Sequence, residues 1–249
     1  MIINRNEYLV LWPNLKMYGL EKGEICKKIF GKNDFTIYTK FSVNKLDTYN
    51  NEPIVIFWKI PFVCSISFDP HSYIDSKNNI VDSHLFFTNY TLKVDDNDVV
   101  ERTGVYFNFE FGMDYEIMVV YSSDSSVIKY YLNNEFKFEI NVNTEFFNDY
   151  DNSQILLGRN QFDAETTYDI DFKYIILSEK IITNEVVKNI KQNYLIKLNE
   201  YDEYVNSNEY GLLGLYDFEK TTKFKIFDYT GNNNHIYIQT IKNEQHAID

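Results

Sequence analysis

GLLGLYDFEKTTKFKIFDYTGNNNH, residues 211–235, decides how this chain is read. Leu213, Leu215, Tyr216 and Phe218 form an alternating apolar segment that runs into a charged turn. A second apolar run, Phe224, Ile226 and Phe227, leads into the loop from Asp228 to His235. Asx and Gly residues satisfy and bend the backbone locally, so this pattern is a strand, a turn and a tight loop entering another strand.

Working outward, the same grammar repeats. Residues 7–12 form a short strand broken by Pro13. In residues 34–43, Phe35, Ile37, Thr39, Phe41 and Val43 face one way, and Thr36, Tyr38, Lys40 and Ser42 the other. That alternation predicts a half-buried antiparallel strand. The apolar run 53–68 is split by Pro61 into two strands. Two more strands hinge at Asp95-Asp96-Asn97-Asp98. Residues 115–122 and 126–132 flank a polar turn as a hairpin, and Asn133-Asn134 turns into a second one. Residues 154–158 and 168–177 complete the series. One segment differs: Val186, Val187, Ile190 and Tyr194 stand at helical spacing behind Thr183, a candidate N-cap. This predicts one short helix over 183–194, with 195–210 as its polar extension or a linker.

The chain has 249 residues, 44% of them hydrophobic, with 21 Tyr and 20 Phe but only four Pro and nine Gly. It is long enough for one large all-β domain, and its aromatic and β-branched richness suits sheets. The net charge of −13 and the absence of a basic cluster argue against nucleic-acid binding, and an anionic membrane surface would repel the chain. No run of eighteen apolar residues reads as a membrane span, so no membrane insertion is expected. The N-terminal residues show no signal peptide. Cys26 and Cys64 suit a reducing cytoplasm as two buried thiols better than as a bridge.

The opening stretch resembles the start of laminin-G-like, concanavalin-A-like jelly-roll domains, in which a strand ending in Phe-Asp/Glu precedes an Asp-x-Ser/Thr-Gly-Asn-x-Asn-His loop. Residues 34–43, the hairpins within 113–140, QILLGRN at 154–160 and the strand-to-helix run 169–190 resemble later elements of that family, in order. Asn133-Asn134 stands where the family carries Asn-Gly. The matching pieces cover about residues 34–194. The resemblance implies a single domain over 1–249, an all-β two-sheet antiparallel sandwich. It also implies circular permutation, with 211–236 supplying the strand pair usually found at the N-terminus. That segment is then expected to pair with strands from the first half of the chain. The alternative is a second, truncated module, for which the residues after His235 are too few.

Candidate chemistry is sparse. The fold also hosts laminarinase-type glycoside hydrolases, which need two carboxylates across the scissile bond. Asp169 and Asp171 share a strand face, but Lys173 and Tyr174 stand near the place of the third carboxylate. The plainer reading is a solvated strand face with Phe172, Tyr174 and Ile176 on one side. Asp228, Asn232 and Asn234 offer the oxygen ligands calcium takes, or else they form an Asx-turn loop that satisfies backbone groups. The four histidines, His71, His84, His235 and His246, show no metal-binding spacing. Tyr38, Tyr106, Tyr121 and Tyr130 could stack sugar rings, or could bury their rings in the core.

The expected function is therefore a non-catalytic binding, adhesion or structural decoration module that recognises glycan or protein. As a signal-less acidic chain, it is expected in a phage virion or surface assembly, as a homo-oligomer or part of a larger particle, with loops at one end of the sandwich making any glycan contact. The alternatives are a glycoside hydrolase and a packing block without ligand.

Overall fold

The computed structural model describes residues 2–3, 7–11, 33–44, 54–59, 62–68, 83–93, 99–108, 110–141, 155–157, 169–195, 207–220, 225–232 and 236–240. Its strands are β1 (Ile2–Ile3), β2 (Glu7–Leu11), β3 (Phe35–Asn44), β4 (Ile54–Lys59), β5 (Phe62–Phe68), β6 (Ser83–Lys93), β7 (Val99–Asn108) and β8 (Tyr115–Ser122). They continue with β9 (Val127–Leu132), β10 (Glu135–Asn141), β11 (Ile155–Leu157), β12 (Asp169–Ser178), β13 (Leu212–Asp217), β14 (Lys225–Ile226) and β15 (Ile236–Thr240). Helix α1 spans Asn184–Ile190 and passes into a π-helical turn, Lys191–Leu195. A single helical turn, α2, covers Ser207–Tyr210.

The strands form two antiparallel sheets. The first runs β1-β12-β3-β8-β9-β10, with β13 also on β12; the second runs β14-β15-β2-β11-β4-β5-β6-β7. Phe107 of the second sheet stacks on Phe138 of the first, with ring centroids 6.2 Å apart. Between the sheets, Phe41 meets Phe172, and Phe172 meets Phe218.

The local signals act as expected at the hairpins and the helix start. Pro61 separates β4 from β5, which pair with each other. Asn133 and Asn134 both take positive φ, 51° and 67°. Two successive positive φ values make the turn whose twist matches the flanking strands. Thr183 caps α1, its hydroxyl accepting from the Val186 N–H.

Two expectations need correction. Strand β3 is buried on both faces, not one: Thr36, Tyr38 and Ser42 are buried along with Phe35, Phe41 and Val43. The face read as solvated is covered by α1, whose Val187 and Ile190 pack on Tyr38, Met118, Val120 and Ile176. The second concerns β12. Its pairing with β3 shifts between Phe172 and Tyr174, which makes Lys173 the extra residue of a bulge. Phe172 therefore joins the inter-sheet aromatics, while Tyr174 stacks on Tyr38 on the helix side.

The two ends of the chain meet in both sheets. β1 pairs Ile2 with Asp171, and β13 pairs from Tyr174↔Asp217 to Ser178↔Leu212, so both lie along β12. In the second sheet β15 pairs directly with β2, from Ile236↔Leu11 to Thr240↔Glu7. Within 211–236, β13 joins β12 of the second half and β14 pairs with β15, so the expected pairing with the first half is met at Ile236 alone, which pairs with Leu11 as the first residue of β15.

Candidate functional site

Strand β8 turns Met118, Val120 and Ser122 to the helix side of the first sheet, and β9 adds Lys129 and Tyr131. The chain leaving β12 folds back over this face. Thr36 holds it there: the hydroxyl donates to the Lys180 carbonyl (2.8 Å) and accepts from the Ile182 N–H (3.1 Å). Between the returning segment 181–185 and the two strands lies a cavity of about 500 Å³. That is ample for a small ligand. Its apolar lining is Met118, Val120, Tyr131 and Ile182, with Ile181 exposed beside it. Its polar lining includes Ser122, Ser125, Lys129, Asn184 and Glu185.

The trough has firm walls. Asp34 fixes the turn that carries Ser125, its Oδ1 accepting from the Ser123 N–H (2.8 Å) and hydroxyl (2.7 Å). Phe136, 53% exposed, meets the Tyr131 ring edge-on at 5.7 Å. Lys129 lies 3.8 Å from Glu139 on the neighbouring strand. Asn184 donates from Nδ2 to the Asn134 carbonyl (2.7 Å), so its Oδ1 is left as the acceptor. That buried oxygen finds no donor among the described residues.

Behind Asn134 sits a charged cluster. Asn134 Nδ2 donates to Glu116 Oε2 (3.0 Å), while Glu116 Oε1 accepts from Lys191 Nζ (3.0 Å) and the Tyr174 hydroxyl (3.1 Å). Lys191 Nζ also stands 4.8 Å from the Tyr174 ring centroid and 5.6 Å from that of Tyr38, a cation–π arrangement on two faces. Burial alone would raise the Glu116 pKa, but hydrogen bonds from Tyr38, Lys191 and Asn134 and the lysine charge outweigh it and bring it to about 2. Burial, reinforced by Glu116, pushes the Tyr38 hydroxyl far up, and Tyr174 also rises. At neutral pH the cluster is one fixed ion pair held by two neutral phenols. It offers no group poised to exchange a proton.

The residues singled out in the sequence lie elsewhere. Tyr38, Tyr121 and Tyr130 are all buried, which removes them as sugar platforms; the side chain of Tyr106 is outside the described residues. Asp171 pairs with Lys173 across the bulge, and the Asp169 side chain is outside the described residues. Asp228 is buried. Its Oδ1 accepts from the Leu215 N–H (3.2 Å), the Thr230 N–H (3.0 Å) and the Thr230 hydroxyl, which also reaches Oδ2 (2.8 Å). Asn232 donates from Nδ2 to the Leu212 carbonyl (3.0 Å). This is the Asx-turn arrangement. A calcium ion at Asp228 would have to displace these donors, so the residues as placed fit it poorly. Asn234, His235, Asp95–Asp98 and Cys26 lie outside the described residues, as does the Cys64 side chain. Tyr131, Lys129 and Asn184 were not evident from the sequence. The usable signal was the Asn133-Asn134 turn, whose register decides that Tyr130 faces the core and Tyr131 the trough.

No protein-family model matches the sequence, and no curated protein is similar to it. Among solved structures, a candidate carbohydrate-binding protein of Bacteroides ovatus superposes with a TM-score of 0.51 at 14% identity, over 97% of this chain and 60% of its own. The CBM40 of a Ruminococcus gnavus IT-sialidase gives 0.42 at 10% identity, over 65% of this chain and 84% of its own. An alginate lyase of Pseudomonas aeruginosa gives 0.41 at 8% identity, over 60% of this chain and 66% of its own. At such identities the likeness is one of fold: an antiparallel, jelly-roll-type β-sandwich with a short helix.

Proposed function

We propose that this chain is a non-catalytic binding module for glycans and that the trough beside Tyr131 is its contact site. The carrying observation is the trough itself, which combines an aromatic ring, aliphatic side chains and neutral polar groups in one cavity of about 500 Å³. Sugars present apolar ring faces edged with hydroxyls, and such a lining complements both. The fold-level likeness to the Bacteroides ovatus protein supports the same class. Within the family resemblance, we read 1–249 as one circularly permuted unit, with the adjacency of β2 and β15 in support.

A non-catalytic role accords with the carboxylates. Asp171 is tied to Lys173, and Glu116 to Lys191, Tyr174 and Asn134, so neither is placed as a proton donor. The wider setting we propose is a virion or surface assembly containing several copies.

A glycan array probed with the full chain tests the reading. Binding to a coherent set of structures is expected. A blank array would sink it and leave the packing-block alternative. Light scattering at tens of micromolar tests assembly, where a monomer found in no particle would count against it.

A further inference from the structure

We infer that Ser178 and Gly211 are positioning residues for the trough: they lock segment 180–182 to the start of β13, so the trough keeps its shape only while the C-terminal strand is docked. The inference rests on the reading of the trough as the contact site and adds what controls that site from outside its lining.

The trough is lined from residues 118–131 and 181–185, and Ser178 and Gly211 stand behind it. Ser178, the last residue of β12, joins two parts of the chain. Its hydroxyl donates to the Tyr210 carbonyl (2.8 Å) and accepts from the Lys180 N–H (3.0 Å). The Lys180 carbonyl in turn accepts from the Thr36 hydroxyl, which also takes the Ile182 N–H. A single series of bonds therefore runs from Tyr210 through Ser178, Lys180 and Thr36 to Ile182. Both hydroxyls are fully buried, so no solvent is at hand to replace a lost partner.

Gly211 brings the two backbones together. Its carbonyl accepts from the Glu179 N–H (2.9 Å), and its φ of +60° is one that glycine takes without steric cost. A Cβ there would stand 2.8 Å from Lys180 Cγ and 3.2 Å from Glu179 Cγ. Beside it, the pairing of β12 with β13 shifts register between Leu177 and Ser178, an irregularity that re-aims the chain where it leaves for the trough.

The backing is shared as well. Met118, Val120 and Ile182 line the trough, and the same three pack in one cluster with Leu212 and Leu215 of β13. Displacing residues 210–212 moves the segment and its support together, without altering any lining side chain. A site held this way is set by the shell behind it.

Hydrogen exchange of the Ile182 amide and the Met118 methyl resonance, both followed by NMR on the full chain well below the melting midpoint, test this. Ser178→Ala and Gly211→Ala are expected to speed Ile182 exchange about tenfold or more and to move the Met118 signal. Gly214→Ala is the control: it lies on the same strand but strikes Tyr216, and it should leave both readouts in place at a similar loss of melting temperature. Where Gly211→Ala does not fold, Ser178→Ala reads the same bond series. On a glycan array, Ser178→Ala should lose hits that Gly214→Ala keeps. Ile182 exchange that merely follows melting temperature across the three variants, or hits that survive Ser178→Ala undiminished, overturns the inference. A blank array with the parent removes the glycan reading and leaves the exchange result to decide.

Discussion

Lys191 Nζ and Glu116 Oε1 lie 3.0 Å apart, joining the π-helical turn after α1 to the middle of the first sheet across 75 residues of sequence. Tyr174, Asn134 and Tyr38 close around the pair, so the helix that covers the sheet is tied down by charge as well as by Val187 and Ile190.

Glu116→Gln is expected to cost about 1–3 kcal/mol, because it leaves the half-buried Lys191 without its counter-charge. The pH dependence has a definite sign. The Glu116 pKa falls from an ordinary 4.5 to about 2 in the folded chain. The pair's stabilisation is therefore complete above about pH 4.5 and fades as pH falls toward 2. Urea midpoints at pH 7 and pH 3 should converge between the parent and Glu116→Gln at the lower value. A gap that stays constant with pH would refute the assignment.

Gly214 is required by Tyr216. A methyl group at Gly214 would stand 2.5 Å from the Tyr216 hydroxyl oxygen and 2.6 Å from a ring carbon, and that ring is fully buried. Gly214→Ala should therefore cost about 2 kcal/mol or more. The double variant Gly214→Ala, Tyr216→Leu should lose less than the sum of the two single changes, as measured by thermal unfolding. Additive losses would mean that the overlap is relieved elsewhere.

Much of this fold was legible because its signals are local. Asn133 and Asn134 fix a hairpin, and Thr183 caps α1; each acts within a few residues of itself. What escaped depends on what lies above a strand. Alternation in β3 shows that two faces exist, but the cover over Tyr38 comes from α1 and that over Thr36 from residues 180–182 just before it, about 150 residues away. The Lys173 bulge reverses the faces of β12 midway, and no turn residue marks it. The trough was invisible for the same reason: Tyr131 and Asn184 come to line one cavity only after the chain leaving β12 folds back over β8 and β9.

Asp228 acts as a staple between the loop and β13. Its Oδ1 accepts from the Leu215 N–H, and the Tyr229 N–H bonds the Leu215 carbonyl at 2.9 Å. Asp228→Ala is expected to lose about 1–3 kcal/mol by leaving these buried donors unpaired, with the same loss in EDTA as in millimolar calcium. A melting temperature that rises with calcium in the parent, but not in Asp228→Ala, would instead assign a metal to the loop.

Truncation after Asn208 removes β13, β14 and β15 together. The loss exposes one side of β12 along Tyr174–Ser178 and the edge of β2 along Glu7–Leu11. It also strips Leu212 and Leu215 from the cluster under α1. An unpaired strand edge beside an opened core is a template for aggregation, so the 1–208 fragment should be insoluble. Supplying residues 209–249 as a separate chain during refolding should recover soluble material if the segment docks as a strand donor. A 1–208 fragment that stays soluble and unfolds cooperatively would show that the C-terminal strands are an appendage and would defeat the permuted-sandwich reading.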